Sequence, residues 1–227
     1  MTQIRAENIS KIYSQAGVGR MALSDVSLCI RPGELVVITG ASGSGKTTLL
    51  NILGCLDTPS AGRLTIDEQD TSSLTSNELA QLRAKHIGFV FQQSHLLSHM
   101  TALENVTLPF ILSGSVVNEA RATSLLAAVE LEQQMGQRPS QLSGGEQQRV
   151  AIARALIQQP DIILADEPTG NLDRKTGLEI IRLLAGFVNS VQKCAVVIVT
   201  HQPELIDKPQ RRFELVDGRL MELRNGR

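Results

Sequence analysis

Apolar and polar positions alternate with period two at the start of the chain, at Ile4, Ala6 and Ile9 and again at Leu23, Val26, Leu28 and Ile30. That period belongs to half-buried strands, so two or three strands are predicted, with a turn around residues 14–20. Pro32-Gly33 marks a further turn. The continuous apolar run Leu35–Thr39 then reads as a fully buried strand. A glycine-rich stretch follows it. Beyond that, 47–56 carries Leu49, Leu50 and Leu53 at helical spacing. Strand, loop and helix in this order begin a parallel sheet. Residues 63–66 and Ile87–Phe91 predict more strands.

From about 94 to 159 the strand signals fade. Helical spacing takes over in 119–131 (Ala122, Leu125, Leu126, Val129) and in 146–157 (Val150, Ala153, Ile157). Apolar strands return at 162–165 and 195–199, with an amphipathic helix over 176–188 between them. The pairs of apolar positions in 213–216 and 220–223 flank Asp217-Gly218, a hairpin signal. The pattern predicts an α/β core interrupted by a helical insert over roughly 93–158.

Composition narrows the class. The 227 residues fit one domain with a subdomain. The formal net charge of −1 and the 3% aromatic content argue against a nucleic-acid partner, which calls for excess Lys and Arg or stacking platforms. No apolar run approaches the ~20 residues of a membrane span, and the first twenty residues hold no secretory h-region. The cysteines, Cys29, Cys55 and Cys194, are too far apart for a CxxC site and read as small buried hydrophobes in a reducing cytosolic compartment.

The chemistry sits in three stretches. Gly40-Ala41-Ser42-Gly43-Ser44-Gly45-Lys46-Thr47 fits the phosphate-loop pattern G-x-x-x-x-G-K-[ST]. Its glycines turn backbone N–H groups inward as an anion nest, and the helix that starts there adds its positive dipole end. Lys46 reaches the terminal phosphates, and the Thr47 hydroxyl is a ligand for Mg²⁺. Asp166 and Glu167 close the apolar run 162–165 at the carboxyl edge of the sheet, where open α/β sheets bind ligands. Asp166 is placed to hold Mg²⁺ and Glu167 to polarise an attacking water. Ser143-Gly144-Gly145 precedes a helix and offers a second anion site of the same type.

With Leu142 and Glu146-Gln147-Gln148-Arg149, that second site makes LSGGEQQR, and the chain resembles the ATP-binding-cassette ATPases from end to end. The resemblance implies a P-loop NTPase fold of the ABC type, with a RecA-like core and antiparallel β subdomain (about 1–92 and 159–227) and an α-helical subdomain (about 93–158). It implies ATP and Mg²⁺ as ligands, with Thr48 beside Thr47 in the phosphate site. Gln92 resembles the family glutamine that touches Mg²⁺ and the attacking water. His201 resembles the histidine that contacts the γ-phosphate. Tyr13, 27 residues before the phosphate loop, is similar to the aromatic that stacks on adenine. Asp173, in Asn171-Leu172-Asp173, resembles the loop that crosses between subunits.

The family explains two phosphate loops in one chain. Two copies pair head to tail, so that the Lys46 loop of one and the Ser143 loop of the other enclose one ATP. It further implies a separate transmembrane permease as partner and a location on the cytoplasmic face of the cell membrane. Thr101-Ala102-Leu103-Glu104-Asn105-Val106 and the stretch from Asp166 to Asp173 resemble the lipoprotein-releasing, macrolide-export and cell-division group. Residues 94–100, with Leu96, Leu97 and Met100, are the expected permease contact. Gln202 stands where the family usually has Asp after the histidine. His86, His95, His99 and Gln93 are read as structural. A soluble cassette for DNA maintenance is disfavoured because only 97 residues, without heptads or Cys pairs, separate Lys46 from Ser143. A P-loop kinase or GTPase would leave LSGGEQQR without a role, and a ribosome-acting member would carry two cassettes.

Overall fold

The computed structural model describes residues 3–15, 18–188, 194–207 and 209–223. Among them, the period-two segments form two long strands, β1 (Ile4–Gln15) and β2 (Val18–Ile30). Of the turn expected at 14–20, residues 14–15 and 18–20 belong to these strands, and 16–17 lie outside the described residues. Tyr13 stands directly opposite Arg20 in the register of this antiparallel pair. With β4 (Ala61–Ile66) and β5 (Gln69–Asp70) they make a four-stranded sheet in the order β2-β1-β4-β5.

The second sheet holds the aliphatic runs: β3 (Leu35–Thr39), β6 (Ile87–Phe91), β7 (Ile162–Asp166), β8 (Ala195–Thr200), β9 (Arg211–Val216) and β10 (Arg219–Leu223). Its order is β10-β9-β3-β8-β7-β6. β6, β7, β8, β3 and β9 are parallel, and β10 closes the edge as a hairpin with β9. Runs without alternation suit a parallel sheet covered on both faces. Val36 and Ile38 pack with the antiparallel sheet and with Leu49, Leu50, Ile52 and Leu53 of α1 (Lys46–Leu53). Leu35 and Val37 face the other way, toward Ile152 of α5 (Gly144–Leu156) and Ile180 and Leu184 of α6 (Arg174–Val188). Register aligns Thr39 with Thr200 and Asp166 with Val199, so the carboxyl ends of β3, β7 and β8 share one rim.

A third core joins α3 (Ala102–Leu112), α4 (Glu119–Ala128) and the opposite face of α5, through Val106, Phe110, Leu126, Val150 and Ala153. α5 therefore belongs to two cores, and it ties the Ser143 loop to the main sheet. Two helices have no counterpart among the segments read from periodicity: α3, which falls inside the helical insert, and α2 (Ser76–His86). Leu82 is its one buried residue, so no apolar stripe announces it; its start signal is the Thr75-x-x-Glu78 capping box. Cys55 and Cys194 are buried as expected, but Cys29 is only half-buried, at a strand position that turns its thiol to the Gln3 amide.

Candidate functional site

The rim of β3, β7 and β8 opens into a cleft of about 730 Å³. Its floor is the Gly40–Thr47 loop. Gly45 has φ 108°, and a Cβ there would stand 2.4 Å from the Ala22 carbonyl oxygen. Gly40 has φ 156°, and a Cβ there would meet the Leu215 carbonyl at the same distance. Only glycine lets the loop turn this tightly between β2 and β9. α1 begins at Lys46 with no side-chain cap and no acidic residue in its first turn, so its first N–H groups are left for an external acceptor.

Lys46 is 8% exposed. Its ammonium donates to the carbonyls of Gly40 (2.8 Å) and Ala41 (3.0 Å) and lies 3.9 Å from Glu167 Oε1. Asp166 ends β7 with Oδ1 buried and without a hydrogen-bond partner, and Ser44 Oγ is orphaned in the same way. Burial pushes the Asp166 carboxyl above its ordinary range; the Thr47 hydroxyl opposes that, the Glu167 charge adds to it and Lys46 offsets it. A buried carboxylate oxygen without a partner and the Thr47 hydroxyl beside that carboxyl group are donors of the hard-oxygen type that Mg²⁺ takes, so Asp166 and Thr47 fit the ion.

Glu167 is held in the left-handed region at φ 47°. Its N–H donates to Val199 O at 2.9 Å, which carries the strained turn off β7. The carboxylate then faces the cleft. Glu167 Oε2 accepts from the His201 backbone N–H (3.2 Å) and lies 2.8 Å from His201 Nδ1. Gln92 follows β6; its amide donates to Asn171 Oδ1 (3.2 Å), and Asn171 donates back to Gln92 O (3.3 Å).

Tyr13 stands on the opposite wall, 41% exposed. Its hydroxyl donates to Asp57 Oδ2 at 2.7 Å, and Lys11 donates to the other Asp57 oxygen from 5.0 Å over the ring. Partial burial and the Asp57 bond raise the Tyr13 hydroxyl pKa. The hydroxyl bond anchors the ring at its tip, and Lys11 lies over one of its faces. Arg20 and Ala22 also line the cleft, as do Ser42, Gly43 and Thr48. No motif pointed to Arg20; only its place opposite Tyr13 in the hairpin would have found it.

The Ser143 loop lies elsewhere. Ser143 N-caps α5: its Oγ accepts from Glu146 N–H (3.3 Å), and its own N–H donates to Glu146 Oε2 (2.7 Å). Gly145 packs at the Thr176 side chain, where a Cβ would stand 2.5 Å away. Gly144 borders a second hollow of about 350 Å³ with Leu96, Gln147 and Leu172, and Gln92 lines both hollows. Asp173 is not in the cleft either. Its carboxylate caps α6, accepting from the N–H groups of Lys175 (3.0 Å) and Thr176 (3.1 Å) and from the Thr176 hydroxyl (2.6 Å). One chain thus brings Tyr13, Lys46, Thr47, Gln92, Asp166, Glu167 and His201 together, and leaves Ser143, Gly144, Gly145 and Asp173 apart. Among the described residues no group of three or more His, Cys, Asp or Glu side chains is arranged to hold a metal ion by itself, and no helix is long and apolar enough to cross a membrane.

Comparison with known proteins agrees with this geometry. The ABC transporter family profile matches residues 23–170. The macrolide export ATP-binding/permease protein MacB of Burkholderia pseudomallei (strain 1710b) is 51% identical over 203 residues, covering 88% of this chain and 31% of that protein. The protein of the same name from Brucella melitensis biotype 1 is 47% identical over 220 residues, covering 96% and 34%. The chain therefore spans about a third of the length of these relatives. The dimeric post-hydrolysis structure of the ATP-binding cassette MJ0796, bound to ADP and Pi, superposes with a TM-score of 0.88 at 44% identity, over 98% of this chain and all of that one. A second dimeric structure of that cassette, described as a bacterial ABC transporter cassette, gives the same TM-score at 45% identity. With the phosphate loop, its acidic partners and the LSGGEQQR helix in place, the chain belongs to the ABC transporter family and is one of its ATPase cassettes.

Proposed function

We propose that the chain binds ATP with Mg²⁺ in the Lys46 cleft and hydrolyses it as a head-to-tail dimer that drives a membrane permease of the macrolide-export type. The observation that carries this reading is the separation of two anion-binding loops. The Lys46 cleft is lined by the Gly40–Thr47 loop, Gln92, Glu167 and His201 but not by Ser143-Gly144-Gly145, of which Gly144 borders the other hollow. A second copy, turned by a two-fold axis, supplies the missing loop to each cleft. The neighbouring cassette structures are dimers, and one carries ADP and Pi.

Within the cleft, Thr47 and Asp166 would hold the metal, with Gln92 beside them. The ion would neutralise phosphate charge and orient the terminal phosphate. Glu167 faces the space beyond and takes a proton from the attacking water. His201 orients Glu167 and reaches the terminal phosphate. ATP binds best to the closed pair and is destroyed there, so closure and opening alternate with turnover.

Ser143→Arg tests the division of labour. The variant keeps its own cleft, so its affinity for a fluorescent ADP analogue stays within twofold. Its ATP turnover falls at least about tenfold, because the arginine blocks the partner's site. Equal turnover by variant and wild type would show that each chain works alone.

The permease contact is proposed at the loop 94–100. Asn105, fully buried, accepts from Leu97 N–H and donates to the carbonyls of Leu97, Met100 and Thr101. Arg154 donates to the carbonyls of Ser94 and His95. The loop is therefore preformed, with Leu97 36% exposed at its surface. The relatives' name joins an ATP-binding and a permease function. A short amphipathic helix of the permease would lay its apolar face here. Leu97→Asp should leave ATPase activity of the isolated cassette unchanged and abolish co-purification with the permease from detergent extracts; a complex that survives removes the assignment.

A further inference from the structure

We propose that Arg20 is a polyphosphate-binding residue of the nucleotide cleft, a second cation that closes over the phosphate tail from the hairpin wall. This rests on reading the cleft as the nucleotide site. The register sets Arg20 directly opposite Tyr13, so both side chains leave the same face of the β1–β2 pair. Tyr13 is anchored at its hydroxyl to Asp57, which fixes that wall against α1. Arg20 extends across the cleft mouth until its Nη2 lies 3.8 Å from the point where a side chain on Gly43 would begin. Gly43 is at the middle of the loop that turns its N–H groups toward phosphate, with φ 78°.

Two features separate Arg20 from an ordinary surface charge. Among the described residues it has no hydrogen-bond or ion-pair partner, although Lys46, the other permanent cation lining the cleft, is tied to loop carbonyls. No carboxylate of the described residues lies within ion-pair distance of it to compete with an incoming phosphate. A guanidinium presents a planar fork that matches two phosphate oxygens at once, and it stays charged at every working pH. Gly43 lacks a side chain in the line between Arg20 and the loop, so nothing blocks that approach.

The contact is to the phosphate tail, so it acts on ADP and ATP alike and weakens as salt rises. The test uses the full chain with three variants: Arg20→Ala, Arg20→Lys and Arg20→Glu. Fluorescent ADP and ATP analogues are titrated at low and at physiological salt, and unlabelled tripolyphosphate is used to displace them. Arg20→Ala should raise the Kd of both analogues about fivefold to tenfold at low salt, the range expected of a half-solvated charge-assisted bond. Tripolyphosphate should weaken by a similar factor. Arg20→Lys should recover part of the loss, and Arg20→Glu should exceed it. Analogue affinities within twofold of wild type overturn the proposal. So does a loss confined to the analogues with tripolyphosphate unaffected, which would place Arg20 on the base or ribose. A wild-type chain that binds no nucleotide fails at the earlier reading of the cleft instead.

Discussion

Replacing Glu167 by Gln will cut steady-state ATP turnover by about two to three orders of magnitude, the share that a positioned general base contributes, and will leave ATP binding within a few fold of wild type. The substitution keeps the side chain's shape and one acceptor oxygen. It removes the negative charge that faces Lys46 Nζ at 3.9 Å and one of the two acceptor oxygens that the carboxylate shares between Lys46 and His201. Backbone strain at Glu167, set by its bond to Val199 O, is the same for either residue. The phosphate loop is untouched, so the nucleotide still enters. What is lost is proton acceptance, and with it the step that destroys the ligand of the closed pair. The variant should then accumulate as an ATP-bound dimer. Phosphate release measures the first effect, and light scattering with and without ATP measures the second. A Glu167→Gln chain that turns over at the wild-type rate, or that stays monomeric in ATP, contradicts the role given to this carboxylate.

The sequence made the cleft floor legible because its chemistry is contiguous. Eight consecutive residues bring nest, helix start, Lys46 and Thr47 into one loop, and no tertiary information is needed to put them together. The aliphatic runs Leu35–Thr39 and Ile162–Asp166 were legible for a related reason: a strand buried on both faces has a composition that few other segments share. α2 was hidden because its burial is confined to Leu82, with Leu79 half-covered, so there was no periodicity to read. Arg20 was hidden because it joins the site through strand register alone, and β1 carries register shifts between Ala6 and Ile12 that no pattern of apolar residues would place. Asp173 is legible by resemblance alone, as part of a loop that crosses between subunits; within one chain its carboxylate caps the first turn of α6.

Lys46→Ala should lower ATP affinity by about two orders of magnitude or more. Two charge-assisted bonds to phosphate, each worth ~1.5–3 kcal/mol, account for a loss of that size. The same truncation has a structural side. Lys46 is nearly enclosed, so its methylenes are part of the cleft wall, and its ammonium now satisfies the carbonyls of Gly40 and Ala41. Lys46→Met separates the two contributions, because it keeps most of the stem and removes the charge. Both variants should lose ATP binding, whereas Lys46→Met, which keeps the stem but not the bonds to the carbonyls, should unfold at a higher temperature than Lys46→Ala in the absence of nucleotide. Wild-type chain should gain melting temperature with added ATP, since a ligand that binds only the folded state stabilises it by mass action, and neither variant should show that gain. If Lys46→Met bound ATP as tightly as the parent, the anion nest and helix N-terminus would be sufficient alone, and the charge at Lys46 would have no part in holding the phosphates.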